Sequence, residues 1–192
     1  MAKNIKIGTG NICLLDSIPL DTAIGYRDCL LLELLYATGK RRMEVIKLKL
    51  QDINLEDSLL FVRKGKGGFD RVVPLSEIIC VMLPNYLKII RSNFQTEKSK
   101  DWLFLVDRGA KLNNTSVGKI LKYYGEKAKL AETLTCHVWR HSCASHLVKN
   151  NANLKHVQEL LGHKSLATTE RYLHISIGDL KQAHKKFHPR GQ

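Results

Sequence analysis

The sequence has 192 residues, 44% of them apolar, so the chain is long enough for one domain with a hydrophobic core and too short for two large ones. This composition excludes intrinsic disorder as the main state and makes disulfides or metal ions unnecessary for folding. Lys and Arg outnumber Asp and Glu by 31 to 18, a formal net charge of +13. The charge favours a polyanionic partner such as nucleic acid, with a basic surface that has no specific partner as the alternative.

The first elements of the chain are predicted to be an arm and two helices. Residues 1–18 show no clear periodicity and are expected to lead into the domain. Leucines at helical spacing predict a first helix after Asp21, which is a plausible N-cap. Gly39 interrupts this pattern before helical spacing resumes over residues 41–49, so a tight turn and a second helix starting at Arg41 are expected.

A change to alternating apolar residues after the second helix predicts a small three-stranded antiparallel sheet. Its strands are expected at residues 53–55, 59–63 and 70–73. The glycine-rich run between the last two strands is typical of a hairpin turn. This turn would place Lys66 at the tip of the hairpin.

The rest of the chain is predicted to be helical, apart from a polar loop and a short apolar run. Pro84 is expected to interrupt or kink the first of these helices, because proline removes an amide donor. Thr135 and Asn153 are N-cap candidates, and Gly162 is a candidate C-cap. The helices are expected at residues 76–91, 114–129, 137–150, 154–161, 165–175 and 178–187. Without a linker or repeat, the sequence predicts one α+β domain that is mainly α-helical.

The cysteines and the apolar runs indicate where the protein acts. Five cysteines are scattered without CxxC spacing, and the first ten residues have no apolar stretch of signal-peptide length. The most apolar run, residues 29–37, contains Glu33 and is far shorter than the ~20 residues of a membrane span. We therefore expect a cytoplasmic protein in a reducing compartment, with no membrane partner.

Single residues in the last third carry little information on their own. His137 and Arg140 are three positions apart and share a helix face, which is common for an ordinary surface pair. His137 and His141 have the spacing of the HExxH zinc motif, but Val138 stands where that motif has glutamate. Because no Cys and His set has structural-zinc spacing either, no metal site is predicted.

Four separated segments become informative when they are taken together. In chain order they are ATGKRRMEV (37–45), KGKGG (64–68), HVWRHSCASHL (137–147) and LLGHKSLATTERYLHIS (160–176). This combination resembles the catalytic domain of the tyrosine site-specific recombinases, the phage-integrase family. The resemblance extends from about Leu20 to the C-terminus and implies the fold of that catalytic domain.

The resemblance also implies an active site made of six residues. They are Arg41, Lys66, His137, Arg140, His163 and Tyr172. Tyr172 matches the family's nucleophile, and Glu44 matches an acidic position that could orient Arg41. Lys40 and Trp139 depart from the aliphatic residues more common in the family at those positions, but neither removes a catalytic group.

The implied reaction needs these residue types. When a tyrosine attacks a DNA phosphodiester, negative charge grows on the non-bridging oxygens, and two arginines can stabilise it in place of Mg²⁺. His137 and His163 can exchange protons near neutral pH, and Lys66 can protonate the departing 5′ oxygen. The 3′-phosphotyrosyl bond keeps the energy of the broken bond, so rejoining needs no ATP. No cofactor is therefore expected, and the sequence has no Walker loop.

Domain organisation differs from that of full-length family members, which usually carry a helical DNA-binding domain before the catalytic one. Arg41 comes too early for such a domain, so the chain is expected to be a catalytic fragment or a naturally short member. The catalytic domain is placed at residues 19–177, followed by a basic tail at 178–192. The resemblance implies that this tail docks on a neighbouring protomer, in a tetramer on paired DNA sites formed from monomers in solution. A solvated tail is the alternative.

Three alternative functions are considered on the basis of this sequence. The first is a site-specific recombinase or integrase acting on double-stranded DNA of the nucleoid, and the second is topoisomerase-like relaxation by the same tyrosine chemistry. The third is a DNA-binding module without activity, which would not require Tyr172 or His163. Lys119 and Lys122, on the predicted basic helix, are candidates for contacts with DNA phosphates.

Overall fold

The structure is a computed structural model that describes residues 14–39, 41–63, 70–130, 133–150 and 152–162. The helices are α1 (Ala23–Thr38), α2 (Arg42–Val45), α3 (Glu77–Asn85), α4 (Asn114–Lys127), α5 (Cys136–Lys149) and α6 (Leu154–Leu161). The strands are β1 (Ile53–Asn54), β2 (Leu59–Val62) and β3 (Arg71–Pro74). The prediction of a mainly helical domain with a three-stranded antiparallel sheet is confirmed.

Helix α1 forms the centre of the core. It is apolar on nearly every side, as expected for a helix surrounded by other elements, and it packs against α3 and α5. Its N-cap is Thr22, whose hydroxyl accepts a hydrogen bond from the Gly25 N–H at 3.0 Å. The prediction of Asp21 as the cap was wrong by one residue, because Thr22 is the residue with extended backbone directly before the first helical turn.

Helix α2 is shorter than predicted and ends at Val45 rather than near residue 49. After it the main chain pairs with a distant segment: the Leu103 N–H donates to the Leu48 carbonyl at 2.9 Å, and the Leu50 N–H donates to the Asp101 carbonyl at 2.8 Å. These long-range bonds compete with helical ones and end the helix. Sequence periodicity does not report on them.

The sheet has the order β1-β2-β3, with Leu60 opposite Ile53 on one side and Val73 on the other. Leu60 and Val73 are buried in the core, whereas Phe61 and Val72 point to the more exposed face. Such alternation is typical of an antiparallel sheet with one covered face. Lys66, predicted at the hairpin tip, lies outside the described residues.

Pro84 changes the helix without ending it. Helix α3 continues past the proline into a π-helical turn, Tyr86–Ile90, and then a 3₁₀ turn, Arg91–Phe94. Since proline has no N–H to donate to the carbonyl four residues earlier, the following turn widens. The side chain of Arg91 then donates to the Trp102 carbonyl at 2.9 Å, which fixes the end of this segment to the next loop.

The last two described helices have the predicted caps. The Thr135 hydroxyl accepts from the Val138 N–H at 3.2 Å and starts α5, and the Asn153 side chain starts α6. Gly162 ends α6 in a left-handed conformation with φ of 66°. The helices predicted at 165–175 and 178–187 lie outside the described residues. In the part of the chain that the structure describes, no helix is long and apolar enough to cross a membrane.

Candidate active site

Arg41 is held at the start of α2 by Glu44. Its N–H donates to Glu44 Oε2 at 3.2 Å, and its Nη1 forms an ion pair with Glu44 Oε1 at 3.4 Å. The Glu44 side chain is almost buried, whereas the Arg41 side chain is 30% exposed. A fixed carboxylate therefore orients a guanidinium that solvent, and so a ligand, can reach. The supporting role of Glu44 stays a prediction from the resemblance.

Arg140 lies inside the fold, with only 8% of its surface exposed. Its Nη1 donates to the Gly39 carbonyl at 2.5 Å, and its Nη2 donates to the Leu161 carbonyl at 2.8 Å. A buried cation needs such compensation, and the C-terminal end of a helix also supplies favourable partial charge. The main chain thus fixes the plane of this guanidinium.

The two arginines converge on the end of α6. Arg41 Nη2 donates to the Gly162 carbonyl at 3.4 Å, next to the Leu161 carbonyl that accepts from Arg140. His163 is the next residue in the sequence. Segments far apart in the chain therefore bring two cations to the two residues that precede a predicted catalytic histidine. Paired guanidinium groups are suited to bind the oxygens of a phosphate.

Gly39 is the contact point for these segments. Its φ of +54° is left-handed, and a Cβ there would lie 2.4 Å from Leu161 Cδ2 and 3.3 Å from Cys143 Sγ. Only glycine fits this conformation and this spacing without strain. The sequence pattern predicts Gly39 as a turn residue but does not reveal that its carbonyl accepts a hydrogen bond from Arg140.

His137 lies in the first turn of α5, three positions before Arg140, and its side chain is exposed. Arg140 is buried, so the two members of the predicted pair differ in their access to solvent. This arrangement leaves the histidine accessible for proton exchange with a bound substrate, whereas two main-chain carbonyls inside the fold hold the arginine.

Trp139 anchors α5 to α1. Its Nε1 donates to the Leu32 carbonyl at 3.0 Å, and its ring packs edge-on against Tyr36 at a centroid distance of 5.9 Å. The Tyr36 hydroxyl lies 2.5 Å from Nδ1 of His146, which is about two helical turns beyond Trp139 on α5. This tyrosine–histidine pair could not be predicted from the sequence, since nothing in the local pattern links two residues so far apart.

The cysteines near the site are poor candidates for a nucleophile. Burial raises the pKa of Cys143 to about 11, an effect only partly offset by the charge of Arg140. Burial also raises the pKa of Cys136. Both thiols are therefore protonated near neutral pH, and a thiol in that state is a weak nucleophile.

Lys119 and Lys122 lie on α4 with exposed side chains. Helix α4 approaches α2 at Gly118, where a Cβ would lie 3.9 Å from Nη1 of Arg42. Lys122 also pairs with Glu126 at 3.7 Å, a surface contact that contributes little to stability. Both lysines are exposed on a helix that touches α2, so the prediction of phosphate contacts is compatible with their placement.

Three predicted catalytic residues, Lys66, His163 and Tyr172, lie outside the described residues. The described part of the chain thus brings together Arg41, Arg140 and Glu44, with His137 one helical turn from Arg140. Within that same part, no group of three or more His, Cys, Asp or Glu side chains is arranged to hold a metal ion.

Known proteins similar to this chain are found by both sequence and structure. The tyrosine recombinase XerD of Staphylococcus epidermidis is 42% identical over 180 residues, covering 93% of this chain and 60% of the relative. The crystal structure of XerA recombinase aligns with a TM-score of 0.77 at 30% identity, over 92% of this chain and 62% of that chain. The crystal structure of XerH recombinase bound to difH substrate, a pre-cleavage complex, aligns with a TM-score of 0.75 at 30% identity. The alignment covers 95% of this chain and 55% of that chain.

The chain spans about 60% of the length of the curated relatives it matches. The family model described as the phage integrase family matches residues 14–177, which is most of the chain. The resemblance inferred from the four motifs is confirmed, and the fold is that of a tyrosine recombinase catalytic domain. This chain belongs to the phage integrase family.

Proposed function

We propose that this chain is the catalytic domain of a site-specific DNA recombinase or integrase, with Tyr172 as the nucleophile. The observation that carries the proposal is the convergence of Arg41 and Arg140 at the end of α6. Two cations held in place before the substrate arrives can stabilise the charge that develops on a phosphate during attack. Membership of the phage integrase family supports the same activity.

The proposed reaction keeps the number of phosphoester bonds constant in each step. The Tyr172 oxygen bonds to phosphorus as the bond from phosphorus to the 5′ oxygen breaks, giving a 3′-phosphotyrosyl intermediate and a free 5′ hydroxyl. A histidine, His137 or His163, takes the tyrosine proton, and Lys66 gives a proton to the 5′ oxygen. Attack by the 5′ hydroxyl of another strand reverses these steps and releases Tyr172. No metal ion or ATP enters this sequence.

The arginines have different roles within this proposal. Arg140 is fixed by two main-chain carbonyls, so it acts as the rigid part of the phosphate site. Arg41 is more exposed, and its bond to Gly162 is long, at 3.4 Å, so a phosphate oxygen can replace that carbonyl at low cost. Glu44 keeps Arg41 directed at the site throughout.

The proposed substrate is double-stranded DNA. The net charge of +13 and the exposed Lys119 and Lys122 support contacts with the phosphate backbone. Strand exchange needs four active sites, so we propose a tetramer on paired DNA sites that assembles from monomers. The catalytic unit at residues 19–177 and the basic tail at 178–192 are part of this proposal, as is action in the cytoplasm, beside the nucleoid.

Covalent capture tests the proposal. The protein is incubated in EDTA with a labelled pool of nicked DNA duplexes and then denatured, and protein–DNA adducts are counted. We expect adducts with the wild type and none with Tyr172→Phe, which retains DNA binding. Tyr123→Phe is the matched control, since Tyr123 is an exposed tyrosine on α4. Adducts that persist in Tyr172→Phe, or that form only with added metal, would refute the proposal.

A further inference from the structure

A cavity lies away from the arginine site. It has a volume of about 650 Å³ and is formed by the 3₁₀ turn Leu15–Ser17, by α1 and by α3. Volumes of roughly 300–1,000 Å³ are typical of ligand sites. Most of its lining is apolar: Leu15, Ile18, Leu20, Ile78, Val81 and Met82. None of the predicted catalytic residues that the structure describes, Arg41, His137 and Arg140, lines it, so their proposed roles leave this cavity without a function.

Glu33 is the unusual residue of this cavity. It lines the wall, and only 6% of its surface is exposed. Among the described residues, its carboxylate has neither a hydrogen-bond partner nor an ion-pair partner. Burying a charged group without a partner costs several kcal/mol, and unpaired buried carboxylates are rare in proteins for that reason. A side chain of this kind indicates a missing partner.

The charge of the cavity specifies the partner's chemistry. Asp16 and Glu77 also line it, and among the residues that the structure describes no lysine, arginine or histidine does. On a chain with a net charge of +13, this local surface repels DNA and attracts cations. The occupant must therefore combine an ammonium or guanidinium group with an apolar body. Leu20 and Val81, 53% and 72% exposed, extend the apolar surface beyond the cavity itself.

We propose that this cavity binds a segment of a partner polypeptide, which inserts a lysine or arginine side chain toward Glu33. Apolar residues of the same segment would cover Leu20 and Val81. A polypeptide fits better than a small amine, because the exposed apolar rim and the separate carboxylates Asp16 and Glu77 offer contacts on either side of the central cation. This inference does not depend on the proposed recombinase activity.

The test uses nuclear magnetic resonance of the methyl groups of Ile78 and Val81 in the whole chain. The probe is the blocked peptide Leu-Ala-Lys-Ala-Leu, compared with the same peptide containing norleucine in place of lysine. We expect the lysine peptide to shift these signals with an affinity at least about tenfold higher than that of the norleucine peptide, as for a charge-assisted hydrogen bond. Equal affinities for the two peptides would overturn the proposal.

Two variants and one control variant locate the effect. Glu33→Gln should abolish the preference for lysine, whereas Glu97→Gln, which changes an exposed loop glutamate, should keep it. Val81→Ser, on the rim of the cavity, should weaken the binding of both peptides. This variant still tests the proposal if Glu33→Gln folds poorly. A lysine preference that survives in Glu33→Gln would assign the binding to another place and overturn the proposal.

Two further experiments distinguish a partner polypeptide from other possible occupants of the cavity. Pentylammonium chloride tests for a small-amine site, and binding as tight as that of the lysine peptide would overturn docking of a polypeptide. The double variant Lys3→Met, Lys6→Met tests for an occupant within the chain. If this variant alone shifts the Ile78 and Val81 signals and the added peptide does not, the partner is not another polypeptide.

The pH dependence gives an independent check on Glu33. Burial, with the charge of Asp16 adding to it, raises the pKa of Glu33 to about 7. Among the described residues, Cys29 and Glu77 are the other titratable groups that line the cavity. Because a cation binds the ionised carboxylate, affinity for the lysine peptide should rise roughly tenfold between about pH 6 and about pH 8. An affinity that stays constant over this range would contradict the role of Glu33.

Discussion

Arg41 and Arg140 donate hydrogen bonds to two consecutive carbonyl oxygens, those of Gly162 at 3.4 Å and Leu161 at 2.8 Å. The position of both guanidinium groups therefore depends on where α6 ends. Helix α6 is attached to α5 by a small apolar cluster of Ala144, Val157 and Leu161, separate from the main core. Packing in this cluster thus determines the geometry of the candidate phosphate site.

Substituting each arginine by lysine should separate their roles. Arg140→Lys cannot reach both Gly39 and Leu161, so we expect the free energy of unfolding to fall by about 1–3 kcal/mol and the rate of DNA capture to fall by roughly a hundredfold or more. Arg41→Lys, at a more exposed position, should slow capture to a similar degree with a loss of stability below about 1 kcal/mol. Denaturant unfolding and single-turnover capture measure both quantities. Equal stability losses in the two variants would contradict this division.

A methyl group at position 39 should disturb the site. Gly39→Ala must adopt a φ of +54° and places Cβ against Leu161, so we expect a loss of about 1–3 kcal/mol in stability. Gly118→Ala is the matched control: it lies within α4, has space for a methyl group, and should gain about 0.5–1 kcal/mol. Denaturant unfolding of both variants tests this, and a neutral Gly39→Ala would show that the turn is not tightly packed.

The parts of the fold that were predicted correctly from sequence depend on local chemistry. Thr135, Asn153 and Gly162 are caps whose hydrogen bonds involve residues two to four positions away, and such bonds leave a signature in the sequence. The end of α2 depends instead on bonds between Leu48 and Leu103, which no local pattern reveals. Periodicity therefore predicted the helix but extended it too far.

The candidate site likewise combines features that local sequence patterns reveal with features that they do not. Arg41 and Arg140 were predicted because their side chains belong to motifs, but the carbonyls that hold Arg140 belong to Gly39 and Leu161. A main-chain carbonyl is present at every residue, so its use as an acceptor cannot be deduced from residue type. The cavity around Glu33 was missed for a related reason, since a glutamate in an apolar run gives no sign of whether a partner exists in the fold.

Glu33 should make stability depend on pH. Its pKa is raised to about 7 in the folded protein, so the folded state holds this proton more tightly than the unfolded chain. Its contribution to stability is complete below about pH 4 and is lost as the pH rises through 7. The difference from the usual glutamate pKa of about 4.3 corresponds to roughly 3 to 4 kcal/mol.

The check on Glu33 is denaturant unfolding at about pH 5 and about pH 8. The wild type should lose stability between them, and Glu33→Gln, which cannot ionise, should lose about 2–3 kcal/mol less. Glu97→Gln, at an exposed position, should behave as the wild type. The same pH dependence in Glu33→Gln and the wild type would assign the effect to other groups.

Lys119 and Lys122 should contribute to DNA affinity without affecting chemistry. Each phosphate contact removed by Lys119→Ala or Lys122→Ala should reduce the slope of log affinity against log salt concentration by about 0.9. Lys98→Ala, in an exposed loop, is the matched control and should leave the slope unchanged. The rate of capture at saturating DNA should equal that of the wild type in all three variants, because none of these lysines lies among the proposed catalytic residues. Fluorescence anisotropy over a range of salt concentrations measures the slope, and an unchanged slope in both α4 variants would move the phosphate contacts to another part of the chain.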